Sequence, residues 1–338
     1  NQSTVYFCNN QFANNAAINA SWNFLHSVYE ISRVKSNTYL CMPDAEAQGI
    51  MDSLYQKSDS TTPVLRSGIK DPNIVFIVWE SFTEKALHVK IGGRSITPGF
   101  EKLQQEGIYF SNCYSTGDRT DKGLGGLFSA YPSMPKMAIV KYPEKTASLP
   151  GLGKLLAARN YHSRFYYGGE PEFANIKSFM MAQQFLDITS KGSFSEKDMN
   201  SKWGAHDGIV YKRILHELPS LKEPYFLSWL TLTSHEPFET PVPSVFEGTD
   251  VSTKFLNSLH YSDSCVYAFI DSLKQLPSWK NTLVLISADH GHYEPVTGKR
   301  ADNYHIPVLW LGGALQQQGI VINKTVSQLD MPVSIAAQ

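Results

Sequence analysis

The chain has 338 residues, and 30 Lys and Arg against 31 Asp and Glu leave a formal charge of −1. That balance excludes a protein that grips nucleic acid through bulk positive charge, and 42% apolar with 12% aromatic residues excludes a disordered chain and provides for a large core. No stretch approaches the roughly 18 consecutive apolar residues of a membrane helix, and the first turns lack the basic, apolar and small-residue order of a secretion signal. From Asn1 to about Ser67 the sequence is rich in Asn, Ser and Ala, with helical spacing in Trp22, Leu25, Val28 and Ile31 and again in Ile50, Leu54 and Tyr55. We expect a helical arm over residues 1–70, with a Ser/Thr linker at Ser58 to Thr62, and a larger domain over 71–338. The four cysteines, Cys8, Cys41, Cys113 and Cys265, form no C-x-x-C pair, so neither a zinc ribbon nor a thioredoxin-type site is indicated. A Cys8–Cys41 disulfide is left open. Val333 to Gln338 reads as the first turn of a helix that continues, which suggests a piece of a longer protein.

After Pro72 short apolar runs alternate with amphipathic segments. The runs are Ile74 to Trp79, Gly107 to Cys113, Tyr161 to Tyr167, Tyr225 to Leu232, Thr282 to Ser287 and Ile306 to Leu311. Apolar runs without alternation suit strands covered on both faces. The intervening helical segments are Pro98 to Gln105, Leu149 to Arg159, Asp207 to Leu218 and Phe255 to Leu273. This pattern predicts an α/β fold, a three-layer α/β/α sandwich with a mostly parallel central sheet.

In such a sheet ligands bind at the carboxyl ends of the strands. Three runs end in chemistry-bearing residues: Trp79 is followed by Glu80-Ser81, Leu232 by Thr233-Ser234-His235-Glu236, and Ala288 by Asp289-His290-Gly291-His292. Glu80 alone would serve as a helix cap and His235 alone as a loop residue, but their coincidence at one edge points to a metal site with mixed oxygen and nitrogen donors, suited to Mn, Zn or Mg. A fourth run leads into Ser115-Thr116-Gly117-Asp118-Arg119-Thr120-Asp121-Lys122-Gly123 and then a helix of small residues. A hydroxyl there sits where the helix dipole favours negative charge, although a plain N-cap is an equal use of it. The stretch is not a Walker A loop.

In this order, Trp79-Glu80-Ser81, the Gly117–Gly123 loop with Thr120, Thr233-Ser234-His235-Glu236-Pro237-Phe238 and Ser287-Ala288-Asp289-His290-Gly291 resemble the lipoteichoic acid synthase and phosphoglycerol transferase branch of the alkaline phosphatase and sulfatase superfamily, over about residues 72–330. The resemblance implies an alkaline-phosphatase-like catalytic domain and a phosphotransferase with Thr120 as nucleophile. It also implies one divalent ion, Mn or Mg with Zn as a further option, on Glu80, Thr120, Asp289 and His290. His235 matches a histidine that contacts the substrate phosphate or moves a proton. Trp203-Gly204-Ala205-His206-Asp207 resembles the family's Trp-Gly-x-x-Asp stretch, so Trp203 and His206 join the expected substrate-binding residues; Ala205 and His206 stand where some members carry arginine, and Arg119 is the substitute cation. His292 and His305 are candidates for a second ion. The implied reaction moves a glycerol-phosphate group from a membrane phospholipid of phosphatidylglycerol type to a glycan or polymer. The resemblance places the domain outside the cytoplasmic membrane, anchored by N-terminal helices absent from this chain. Competing expectations are a phosphoethanolamine transferase, a phosphodiesterase or sulfatase-type hydrolase, and a lipid-sensing module without turnover. The sulfatase nucleophile motif C/S-x-P-x-R is missing around Cys113 to Gly117, and the sensing reading conflicts with an intact ligand set.

Overall fold

The computed structural model describes residues 19–33, 40–54 and 62–338, and contacts divide the chain into Asn1–Ser60 and Thr61–Gln338. In the first unit helices Ala20–Arg33 and Asp44–Leu54 form where the spacing predicts them. Tyr55, residues 58–61 of the expected linker and Cys8 lie outside the described residues, and Cys41 carries a free thiol.

The strands of the second unit are β1 (Asn73–Trp79), β2 (Lys90–Ile91), β3 (Arg94–Ser95), β4 (Ile108–Tyr114), β5 (His162–Tyr167), β6 (Asp187–Thr189), β7 (Tyr225–Leu230), β8 (Thr282–Ala288), β9 (His305–Leu311), β10 (Ile320–Ile322) and β11 (Val326–Ser327). β2 and β3 make a separate hairpin, and the others form one sheet in the order β10, β4, β9, β8, β1, β7, β5, β6, with β11 also beside β4. β1 is the centre: every residue is buried, Ile74 lies opposite Phe226 of β7 and Leu283 of β8, and both pairings are parallel. β9 alone runs against its neighbours β4 and β8.

Alternation along the strands sends successive side chains to opposite faces, which separates the two helical layers. Phe76 meets Phe128 of helix Thr120–Ser129, and Phe226 packs on Phe185. On the other face Trp79 stacks on Phe82 and meets Phe100 edge-on, and Trp229 meets Phe269 of helix Val251–Leu273. Each such ring, once buried, contributes on the order of 2 kcal/mol, so both layers are held by aromatic contacts to the same central strands. The expected sandwich is therefore present, with six expected strands in place. The short β6, β10, β11 and the hairpin have too few residues to produce a pattern.

Residues 64–66 belong with this unit: Leu65 bridges Leu315, Arg66 N–H donates to Ala314 O at 2.9 Å, and Gln316 N–H to Val64 O at 2.8 Å. At the other end helix Asp330–Ala336 forms, and Gln338 Oε1 accepts from Val64 N–H at 2.8 Å.

Candidate active site

The parallel strands deliver their carboxyl ends to one edge, and the polar residues that follow them converge there. β1 exits into Glu80 and Ser81, and Ser81 adopts φ 57°, a left-handed turn that sends the chain sharply off the sheet. Its N–H donates to Asp289 Oδ1 at 2.9 Å and its hydroxyl to Glu80 Oε1 at 2.7 Å. β8 exits into Asp289 and His290. One ligand atom each from Glu80, Asp289 and His290 lies within 4.8 Å of the others, and all three residues are buried. His290 Nδ1 faces Gly291 O at 2.7 Å, so it carries the proton, and Nε2 faces Glu80 Oε1 and Asp289 Oδ2, each at 3.5 Å.

Thr120 opens the helix after β4, and its hydroxyl donates to Glu80 Oε2 at 3.1 Å. The helix reaches this position because residue 123 is glycine: a Cβ there would stand 2.0 Å from Asp289 O. Thr120 is thus drawn into the carboxylate cluster by backbone contact between helix and strand end.

β7 supplies the fourth side. Thr231 Oγ1 accepts from Glu80 N–H at 2.9 Å and Ser234 Oγ donates to Glu80 O at 2.6 Å. The β7 exit therefore grips both backbone polar groups of Glu80. Buried Asp207 anchors this segment, accepting from Leu232 N–H at 2.7 Å, Thr233 N–H at 3.2 Å and Ser262 Oγ at 2.7 Å. His235, next in the chain, donates through Nδ1 to Glu236 O at 2.8 Å, which leaves Nε2 for the cleft. Trp203 Nε1 donates to the same carbonyl at 2.5 Å and sets its ring edge-on to His235, 5.2 Å between centroids.

Charges follow from this crowding. Burial alone would raise the Glu80 carboxyl, but the His290 hydrogen bond and charge, with His235 and Ser81, hold it at about 2. Burial and the Glu80 charge push Asp289 up to about 7. Burial opposes the His290 cation, yet Asp289 and Glu80 outweigh it and raise the imidazole to about 10. One negative pair shares one positive ring, and Asp289 Oδ2 is still left buried without a hydrogen-bond partner. A buried carboxylate oxygen without a partner is costly, and a divalent cation among these oxygens and His290 Nε2 would satisfy it. The donor set of two carboxylates, an imidazole and a hydroxyl fits such an ion.

The cleft above the cluster encloses about 670 Å³ and is lined by Glu80, Thr120, Arg119, His235 and His290. The other expected residues are placed differently. His206 is buried with Nδ1 against Thr233 Oγ1 at 3.3 Å, and neither it nor Trp203 lines the cleft. In this position, at the N-cap of the helix Asp207–Glu217, the His206 ring packs against the β7 exit. His292 lines the cleft, but its ring stacks on Phe255, Nδ1 accepts from Glu294 N–H at 3.1 Å, and burial with the His290 charge lowers it to about 4. His305 stacks on Tyr114 and its Nε2 contacts Ser111 O at 3.0 Å. Neither belongs to the three-residue cluster, the one such group among the described residues. Lys141, Phe173, Tyr293 and Arg300 also line the cleft. Tyr293 sits in a loop and the other three in 3-10 turns of three or four residues, too short for periodicity, so the sequence does not single them out.

Comparison with known proteins gives a consistent result. The sulfatase family model matches residues 72–338. Lipoteichoic acid synthase 2 of Bacillus subtilis is 24% identical over 284 residues, 80% of this chain and 43% of that protein. Lipoteichoic acid synthase of Staphylococcus aureus is 23% identical over 256 residues, 71% of this chain and 39% of its own length. The chain thus spans less than half the length of these relatives. Among solved structures, a protein in the alkaline phosphatase superfamily from Vibrio parahaemolyticus superposes with a TM-score of 0.76 at 26% identity, covering 88% of this chain and 76% of that one. The lipoteichoic acid synthase LtaP from Listeria monocytogenes gives 0.72 at 19% identity, covering 84% and 76%.

Proposed function

The chain is a member of the sulfatase family, and from that premise we propose that it is a phosphotransferase, moving a glycerol-phosphate group from a phosphatidylglycerol-like phospholipid to a glycan or polymer acceptor through a phospho-threonine. The observation that carries the proposal is the Thr120 hydroxyl held 3.1 Å from Glu80 Oε2, at the open face of the Glu80, Asp289 and His290 cluster. The relatives named as lipoteichoic acid synthases support phosphodiester chemistry over sulfate-ester hydrolysis, as does a threonine nucleophile in place of the C/S-x-P-x-R motif. In this reading the domain works outside the cytoplasmic membrane, on a chain anchored by helices that lie beyond it.

Glu80, Asp289, His290 and the Thr120 hydroxyl would hold one divalent ion, Mn or Mg with Zn as a further option. When bound, such an ion favours the ionised hydroxyl and offsets charge on the phosphoryl oxygens. Glu80, ionised at any physiological pH, orients the Thr120 hydroxyl toward the cleft. Thr120 Oγ1 forms the new bond to phosphorus as the bond to the glyceride oxygen breaks. His235 Nε2 takes the proton that Thr120 gives up and passes it to the departing diacylglycerol, then takes one from the acceptor hydroxyl that attacks the phospho-threonine and returns it to Thr120 Oγ1 as that bond breaks. Its tautomer is fixed for this because Nδ1 is committed to Glu236 O.

The test is a fluorescent phosphatidylglycerol analogue incubated with the chain and Mn. Diacylglycerol should appear with the native chain and be absent with Thr120→Ala. Release that persists in the Ala variant removes Thr120 as nucleophile.

A further inference from the structure

The cleft has a rim of a composition that catalysis does not use. Phe173 is 66% exposed, Tyr293 47% and Val296 74%. Phe173 and Tyr293 line the cleft directly, and Val296 stands in the loop that runs from Tyr293 to the cleft-lining Arg300. The same rim carries Arg119, Lys299 and Arg300, all exposed. None of these cations takes part in an ion pair among the described residues; Asp118, beside Arg119, is committed to Lys122.

The apolar side chains are held outward by built structure. Phe173 precedes two successive left-handed residues, Ala174 at φ 52° and Asn175 at φ 61°, a conformation that side-chain-bearing residues rarely adopt and that persists where surroundings enforce it. Asn175 Nδ2 ties this corner to Lys141 O at 3.1 Å. On the opposite loop the buried Lys85 ammonium donates to Tyr293 O at 2.9 Å and Asn303 Oδ1 at 2.8 Å, fastening both ends. Exposed apolar groups ringed by polar ones mark a contact surface. Unpaired cations interleaved with them complement lipid phosphates, the arrangement of a protein face at a bilayer interface. Val296 has neither a polar atom nor an aromatic face to offer a sugar, which favours a lipid over a glycan here.

We propose that the cleft rim seats on an anionic phospholipid bilayer, with Phe173, Tyr293 and Val296 entering the interface and Arg119, Lys299 and Arg300 meeting lipid phosphates, so that the cleft opens directly onto the head groups. The proposal deepens the lipid-donor reading above and rests on it for the purpose of the contact.

The test uses the 338-residue chain carrying Thr120→Ala, which consumes no lipid, sedimented with vesicles of phosphatidylglycerol and phosphatidylcholine or of phosphatidylcholine alone. Phe173→Ser with Val296→Ser, and Lys299→Gln with Arg300→Gln, should each weaken binding to anionic vesicles roughly thirtyfold, at about 1 kcal/mol per cation or partly inserted apolar side chain, with melting unchanged. The arm's exposed Trp22, Phe24 and Leu25 are the same in every variant, so any difference reports the rim. Equal vesicle binding by parent and variants overturns the proposal, as does lost binding to soluble glycan with vesicle binding intact. A second arm, in the chain with Thr120 restored, compares vesicle phosphatidylglycerol with deacylated glycerophosphoglycerol: Val296→Ser with Lys299→Gln should lower turnover of the vesicle substrate alone, and equal loss on both overturns the proposal. Rim-dependent vesicle binding with neither diester turned over would sink the donor reading and uphold the surface.

Discussion

Asp289 and His290 have to change protonation before they can serve as ligands. The imidazole is raised to about 10 by the two carboxylates beside it, and Asp289 to about 7 by burial and Glu80. The raised His290 stabilises the metal-free fold fully below its ordinary value of 6.5 and loses that contribution as pH climbs through about 10. Binding of Mn must expel these protons, so affinity should rise with pH from mildly acidic to alkaline conditions. Calorimetric titrations in buffers of different ionisation heat should show net proton release at neutral pH; a count of zero would contradict the charge state described. Glu80, Asp289 and His290 stand out in the sequence because they follow apolar runs, whereas Thr120 is singled out among the hydroxyls of its loop by the family resemblance. Ser81 and Asp207 show in the sequence only as members of motifs with no role of their own, and Lys85 does not show at all. Their work is done by bonds to residues far along the chain, such as Ser81 to Asp289 and Lys85 to Tyr293, and such pairings leave no local pattern.

Two elements, the helix Thr120–Ser129 and the β7 exit, hold the site in register, and each has a single weak point. Gly123→Ala would place a methyl against Asp289 O, so the helix must retreat from the strand end. We expect destabilisation of roughly 1–3 kcal/mol with a larger fractional loss of Mn affinity, measured by thermal melting beside metal titration. Native affinity in a folded Gly123→Ala protein would refute the contact. Asp207→Asn keeps the volume but replaces one acceptor oxygen by a donor among three inbound N–H and O–H groups. Because the β7 exit grips Glu80 as well as carrying His235, this variant should weaken metal binding and slow turnover together, and an effect on turnover alone would confine the role of Asp207 to His235. Helices with full amphipathic turns were readable from spacing. The β7 exit was readable only as a string of polar residues, since its grip on Glu80 depends on the parallel register of β1 with β7.

At the scale of the molecule, the layered sandwich was written in the alternation of apolar runs and amphipathic segments, while the reversal of β9 was not, because strand direction leaves no trace in composition. The larger unit contains the sheet, both helical layers and every metal-ligand candidate. Residues 61–338 alone should therefore fold cooperatively and bind Mn as the full chain does, judged by melting and metal titration; loss of either would show that the first unit completes the fold. The reversed β9 also changes what the catalytic edge can tolerate. Parallel neighbours must be joined through a helix that returns across the sheet, so altering their connections disturbs a packed layer. β8 and β9 are antiparallel and adjacent, and beyond the ion-holding Asp289 and His290 the segment from His292 to Tyr304 returns to the sheet on the side it left. Its length and composition can drift without moving any helix, so new substrate preferences can arise there while the ion-holding residues stay where they are.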